Sequence, residues 1–269
     1  MNSMRDTATT ETHHASGPSS TGYADVNGLH LYFEIYGEVG SPLVLLHGGL
    51  LSIDLNFAEL IPPLAQRHRV IAVELQGHGR TGDIDRTLSP TNSAADVVAL
   101  LDHLGIDRAH VLGHSMGGAV AMQLAVSHPD RLLRVVPISV TVRPDGMHAD
   151  FSDPEAMATS TRMPTADDMA AMRSTYERLS PHPEHFDAFL ATQSASQEDL
   201  RGWSDEQLAA VTTPVLFVIG DHDFTTIEHA GLMVEKTPES QLLVLPGTTH
   251  MQATHRVELL VPALAYFLP

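Results

Sequence analysis

Gly113-His114-Ser115-Met116-Gly117 decides how this chain is read. The pentapeptide ends a short apolar run, His110–Gly113, and opens a stretch, Met116–Ser127, that is small and apolar nearly all round. A strand entering and a helix leaving make this G-x-S-x-G a sharp turn with a serine at its apex. Glycine flanks the serine because the turn is too tight for a Cβ. The strain lifts the hydroxyl into the open, and the helix N-terminus behind it offers a free N–H on Met116. Ser115 is therefore the candidate nucleophile.

A serine alone is a weak nucleophile. It needs a base within hydrogen-bond reach, and the base needs an orienting carboxylate. Gly220-Asp221-His222-Asp223 follows the run Val215–Gly220, and Pro246-Gly247-Thr248-Thr249-His250 follows Leu242–Leu245. Both segments fall at carboxyl ends of expected strands, the edge where open α/β sheets carry their sites. His250 is the candidate base and Asp223 the candidate acid, with Asp221 the alternative acid at the same turn. Asp145 is read as a residue at the start of an insertion. His222, His114, His47, His78 and His255 are weaker base candidates, each expected to be a hydrogen-bonding surface or loop histidine.

His47-Gly48-Gly49-Leu50 directly follows Leu43–Leu46. A glycine-rich turn there can aim a backbone N–H at a substrate oxygen. Paired with the N–H of Met116 it forms an oxyanion hole, which contributes on the order of 3 kcal/mol to such reactions. Gly49 is the first choice of donor and Leu50 the second.

Working outward, Leu29–Tyr36, Leu43–Leu46, Val70–Val73, His110–Gly113, Leu132–Ser139, Val215–Gly220 and Leu242–Leu245 read as strands. Most are short, bounded and β-branched, as strands buried on both faces are. Leu29–Tyr36 alternates instead and predicts a half-exposed strand. Ala94–Leu104, Met116–Ser127 and His255–Leu268 have helical patterns between or after them, which implies parallel strands joined by right-handed crossovers. From Val142 to Thr212 no strand is expected. Helical fragments Thr165–Leu179, Glu184–Gln193 and Asp205–Val211 are separated by prolines, and the segment carries a net charge of −8. It holds five of the eleven methionines, among them Met147, together with Phe151, Phe186 and Phe189. Methionine fits irregular apolar shapes, so Met147 and Phe151 are candidate substrate contacts, as are Leu50 and His114 near the serine. Core filling by Met169, Met172, Tyr176 and Leu179, which repeat at helical spacing, is the plainer reading. Trp203 is expected to anchor the exit of the insertion by packing.

The 269 residues suit one large domain or two small ones. A net charge of −18 argues against nucleic acid and anionic membrane surfaces as partners. The absence of cysteine removes disulfides, thiolate metal sites and cysteine nucleophiles together. No run approaches the ~18 apolar residues of a membrane helix. Residues 1–22 are polar and rich in Ser, Thr and His, without an apolar signal core; they are expected to be a disordered leader on a cytoplasmic protein. His13 and His14 have no third ligand nearby and are not read as a metal site. Nothing in the chain sets an oligomeric state.

The H-G-G turn at His47, Gly77-His78-Gly79-Arg80 after Val70–Val73, the G-H-S-M-G-G turn, the G-x-x-D at Gly220 and the P-G-x-x-H ending at His250 together resemble the α/β-hydrolase fold family, in particular small members with a helical cap. The likeness runs from Tyr23 to the C-terminus. It implies a mostly parallel sheet of about eight strands with helices on both faces, a core of residues 23–141 and 213–269, and a helical cap, 142–212, after the sixth strand. It implies Ser115 as nucleophile, His250 as base and Asp223 as orienter, with no metal and no organic cofactor. Glu74 and Gln76 depart from the Asp and Arg usual at those places, which predicts a rearranged turn without lost chemistry. The expected activity is serine hydrolysis of a small, apolar, uncharged ester or lactone. Carbon–carbon bond hydrolysis and other acyl transfers run on the same machinery, and a ligand receptor retaining the triad belongs to a different class. An aspartate-nucleophile enzyme is disfavoured because Ser115 occupies the turn.

Overall fold

A computed structural model describes residues 17–196 and 202–269. Most of the expected leader, including His13 and His14, lies outside the described residues. Its boundary moves: β1 (Ser20–Val26) already includes Ser20–Gly22. β2 (Leu29–Tyr36), β3 (Pro42–Leu46), β4 (Arg69–Val73), β5 (Ala109–His114), β6 (Leu132–Ile138), β7 (Val215–His222) and β8 (Ser240–Thr249) complete one sheet of order β1-β2-β4-β3-β5-β6-β7-β8. The pairs β1–β2 and β2–β4 are antiparallel, and every pair from β4 through β3 to β8 is parallel.

Helices cover both faces, which explains the unbroken apolar runs of the central strands. β3 sends Val44 and Leu46 to one layer and Leu43 and Leu45 to the other, all fully buried. The first layer packs under α3 (Pro90–His103) and α4 (Met116–Ser127), through Val97, Leu101, Val120 and Leu124. The second packs under α1 (Ile53–Phe57), α2 (Ile61–Ala65) and the C-terminal helix Val257–Phe267, through Phe57, Leu64, Leu260 and Phe267. Burial of this kind contributes roughly 1.5–3 kcal/mol per large side chain.

β2 is not half-exposed. Tyr32 and Glu34, on the face expected to meet solvent, are 8% and 4% exposed. The turn after β4 covers them: Arg80 lies over the Tyr32 ring at 4.6 Å, and Thr81 Oγ1 accepts the Tyr32 N–H. That turn is the one that carries Glu74 and Gln76. Glu74 is fully buried and accepts from Arg80 Nη1 at 2.8 Å and from the Arg80 N–H at 2.5 Å. Gln76 donates to Asp83 and to the Arg86 carbonyl and accepts from the Arg86 guanidinium. Burial pushes the Glu74 carboxyl up to about 7, against the pull of Arg80.

Between β6 and β7 the described chain is helical: α5 (Pro154–Thr159), α6 (Ala166–Leu179), α7 (Phe186–Ser196) and α8 (Asp205–Ala209). Thr165 and Asp168 form a capping box that starts α6. Tyr176, Phe186 and Phe189 form a small core of their own, with Leu50 and Leu88 packed against it. Trp203 is buried, and its indole N–H donates to Gln123 of α4 at 3.0 Å, pinning the end of the insertion to the core. After β7 comes α9 (Ile227–Lys236), and α10 is Val257–Phe267. No helix among the described residues is long and apolar enough to cross a membrane.

Candidate active site

Ser115 sits between β5 and α4 with φ 51° and ψ −113°, outside the regions that a side chain ordinarily allows. Close packing enforces that conformation. A Cβ on Gly113 would come within 2.0 Å of the Gly117 carbonyl oxygen, and one on Gly117 within 2.1 Å of the Leu46 carbonyl oxygen. Both glycines are therefore required by contact with neighbouring backbone.

The turn brings Ser115 Oγ to 2.9 Å from His250 Nε2, and His250 Nδ1 lies 2.7 Å from Asp223 Oδ1. His250 starts the segment after β8, and Asp223 follows β7. Parallel neighbours β5, β6, β7 and β8 thus carry three residues distant in sequence to one edge. Asp223 is fully buried. Its second oxygen accepts from Ser139 Oγ at 2.5 Å and from the Gly220 N–H at 3.2 Å. Burial alone raises the Asp223 carboxyl, but the His250 ring and these hydrogen bonds hold it down to about 2. The carboxylate stays ionised and fixes Nδ1 as the protonated nitrogen, so Nε2 faces the serine as an acceptor. Asp221 instead accepts the Thr248 N–H at 2.9 Å and braces the loop that carries His250. Asp145 is exposed, in a short turn after β6.

Three further residues shape the site without a motif to announce them. Ser139 follows β6 and closes the carboxylate's hydrogen bonds; a polar residue at the carboxyl end of a buried strand is the available signal. Phe224 stacks on the His250 ring, 3.7 Å between centroids at 6°, and limits its rotation. Asn56 accepts the Gly48 N–H at 2.8 Å and donates to Thr254 at 2.8 Å, tying the glycine turn to the His250 segment.

The histidines differ from expectation. His47, His78 and His114 are buried, not surface residues. His114, expected to touch substrate, lies behind the site: its Nε2 is 3.0 Å from the His250 carbonyl oxygen and its Nδ1 3.2 Å from Asn56 Oδ1. Burial, with His250 beside it, holds its ring down to about 3. His222 and His255 are exposed, as expected.

Leu50, Met147 and Phe151 lie on the side of the insertion. Phe151 packs on Phe224, 4.6 Å between ring centroids, so an aromatic chain runs from the insertion to His250. Met147 pairs with Thr225 in an isolated antiparallel bridge. Leu50 packs against Tyr176, Phe186 and Phe189. In the glycine turn, the Leu50 N–H donates to His78 Nε2 at 3.2 Å, the Leu51 N–H to the Gly48 carbonyl and the Gly48 N–H to Asn56. These bonds favour Gly49 over Leu50 as the second oxyanion donor. The Gln193 carboxamide of α7 lies over the turn, its oxygen 3.3 Å from where a Cβ on Gly49 would stand.

Comparison with known proteins agrees with this architecture. A family model described as alpha/beta hydrolase fold matches residues 41–167. The chain is 31% identical, over 94% of its length, to the dihydrolipoyllysine-residue acetyltransferase component of an acetoin cleaving system from Pseudomonas putida, of which the match covers 70%. It is 38% identical, over 43% of its length, to a putative carbamate hydrolase RutD from Caulobacter sp. (strain K31), of which the match covers 44%. Among solved structures, Est816, described as an N-acyl homoserine lactone degrading enzyme, superposes with a TM-score of 0.73 at 27% identity, covering 91% of this chain and 99% of that one. The chain belongs to the α/β-hydrolase fold family.

Proposed function

We propose that this protein is a serine hydrolase of small carboxylic esters or lactones. The observation that carries the reading is the unbroken relay from Ser115 Oγ through His250 to buried Asp223, at 2.9 and 2.7 Å, with the serine held on a strained turn. The chemistry named for its relatives, on a carbamate, a lactone and an acetyl group, supports it, because each involves attack at a carbonyl carbon.

Ser115 Oγ attacks the carbonyl carbon as His250 Nε2 takes its proton. The carbonyl π pair moves to oxygen, where the N–H groups of Gly49 and Met116 receive the charge. Collapse expels the alkoxide, which takes the proton back from His250 and leaves an acyl-serine. Water, deprotonated by His250, repeats the sequence and frees the acid. In a lactone the alkoxide stays tethered to the acyl group, so ring opening gives a single hydroxy-acid product.

The test is a panel of p-nitrophenyl esters of rising acyl length, run beside simple lactones, together with a fluorophosphonate. Turnover of at least one class is expected, with one equivalent of phosphonate bound at Ser115 in mass spectra and EDTA without effect. A folded protein that turns over nothing and leaves Ser115 unlabelled overturns the proposal.

Phe151 and Met147 predict selectivity. Phe151→Ala or Met147→Ala is expected to change the ratio of kcat/KM between short and long acyl chains by about 10-fold or more, the scale of a methylene-sized misfit. Labelling of Ser115 should stay fast. An unchanged acyl-length profile in both variants removes these residues from the substrate pocket.

A further inference from the structure

We infer that His78 is a positioning residue that sets the oxyanion turn and couples it to helix α7 of the insertion; this rests on the hydrolase reading above. His78 Nδ1 lies 2.8 Å from the Gln76 carbonyl oxygen, and the Leu50 N–H donates to Nε2 at 3.2 Å. Both partners are backbone groups with fixed roles. Nδ1 must therefore carry the proton, and Nε2 must be the acceptor. His47 repeats the device: its Nδ1 donates to the Gly48 carbonyl at 2.8 Å, and the Leu75 N–H donates to its Nε2 at 3.1 Å. The two rings lie 4.8 Å apart. The glycine turn and the turn after β4 are thus laced together through two neutral imidazoles.

The Leu50 bond has a particular consequence. Leu50 has φ 62°, a left-handed conformation that a side chain resists. The hydrogen bond to His78 holds it there and commits its N–H to the imidazole. The preceding peptide carries the Gly49 N–H, and its Gly48 carbonyl accepts from the Leu51 N–H at 3.2 Å and from His47 Nδ1 at 2.8 Å, so both peptides of the turn are tied to this pair of imidazoles. Loss of the acceptor at residue 78 frees the turn to rotate and leaves Gly49 misaimed. An error of about 1 Å in such a site can cost on the order of 100-fold in rate.

The His78 ring also meets the insertion. Phe189 of α7 packs nearly perpendicular to it, 4.7 Å between centroids at 85°. Gly77 beside it has φ 73°, and a Cβ there would come within 2.8 Å of the Phe189 ring. Leu50, His78, Tyr176 and Phe189 share the lining of one small void. A substrate that shifts α7 therefore presses, through Phe189 and His78, on the donor that stabilises its own transition state.

The experiment uses the full-length protein with His78→Leu, His78→Gln and Phe189→Leu. The readouts are kcat and KM on the best ester of the panel, the Ki of the matching trifluoromethyl ketone, and thermal unfolding. The ketone adds Ser115 Oγ to its carbonyl, with the serine proton passing to His250, and its hemiketal oxyanion occupies the hole. For His78→Leu, kcat should fall about 10-fold or more and ketone Ki rise in parallel, with KM within about twofold. His78→Gln, which keeps an acceptor, should recover most of both, and Phe189→Leu should show a weaker form of the same pattern. If His78→Leu does not fold, His78→Gln and Phe189→Leu decide: an unchanged ketone Ki in Phe189→Leu, or a Gln variant as impaired in KM as in kcat, overturns the inference. Equal ketone Ki in wild type and a folded His78→Leu overturns it directly. Failure of the ketone and the phosphonate on the wild type instead overturns the hydrolase reading.

Discussion

Ser115→Ala should lower kcat on the preferred ester by about 10⁴-fold or more while leaving the protein folded. The magnitude follows from what the change removes. It deletes the attacking oxygen and leaves His250, Asp223 and the N–H groups of Gly49 and Met116 in place, so only the residual catalysis of an oxyanion hole persists. The fold should tolerate it, since alanine takes the same backbone and loses only the hydrogen bond to His250 at 2.9 Å. Alanine carries the same Cβ strain at φ 51°, so release of strain does not confuse the result. Far-UV circular dichroism and the urea midpoint check the fold, and initial-rate assays check activity. A well-folded variant retaining a tenth of the activity would remove Ser115 from the mechanism.

Acid should unfold this protein unusually early. His47, His78, His110 and His114 are all buried, and burial holds them down to about 3, 4, 4 and 3. In the unfolded chain each titrates near 6.5. Below that pH the unfolded state binds protons that the folded state refuses, so stability falls as pH falls. His68 and His229, lowered by burial as well, act in the same direction. Glu74 opposes them: with its carboxyl raised to about 7, the folded state gains relative stability as pH drops from 7 toward the unfolded value near 4.5. Four histidines against one glutamate leave a net loss on the order of 5 kcal/mol between pH 7 and pH 5. A domain of ordinary stability has about 5–15 kcal/mol in all. Urea midpoints measured at pH 7, 6 and 5 should fall steeply, and a flat series would mean that these rings are charged in the folded state.

The legible part of the molecule is the part that repeats a local rule. The β3, β4 and β7 runs announce themselves because burial on both faces demands apolar residues along most of their length, whereas β8, at the sheet edge and half-buried at Leu242, Leu243 and Val244, shows by its apolar content alone. Met116–Ser127 matches its helix end to end because small residues are needed where a helix crosses the sheet closely. β1 leaves no such trace: Ser20–Val26 is an edge strand whose first four residues stay largely outside the core, so it has no apolar run to read. α1 and α2 are five residues long, too short for a helical period to show. α9 is longer, but the residues it buries are His229, Ala230 and Met233, a mixed set that hides its inner face.

Within the site, the three residues of the relay are legible because each stands at a strand's carboxyl end beside glycine or within a few residues of it. Their supports are not. Asn56 lies 198 residues from Thr254, and Ser139 lies 84 from Asp223. Such partners are created by the sheet order, which no local pattern contains. The burial of His47, His78 and His114 runs against expectation because a polar residue type suggests a wet place. His47 and His78 are instead spent on backbone groups of the turns, and His114 on the His250 carbonyl and the Asn56 side chain.

The distance along the chain between Ser115 and His250 also sets a clock. The two are 135 residues apart, with the whole insertion between them. At about 5–20 residues per second, a ribosome needs roughly 7–27 s to travel from one codon to the other. In the proposed mechanism Ser115 has throughout that interval been made but has no base, and it is as unreactive as any surface serine. β8 is the far edge of the sheet and carries His250 immediately after it, so reactivity arrives only when the last strand docks. On the proposed mechanism, a nascent chain cannot attack ester bonds around it during synthesis, and a transcript cut short before codon 250 yields a protein without hydrolytic power, however much of the sheet it manages to fold.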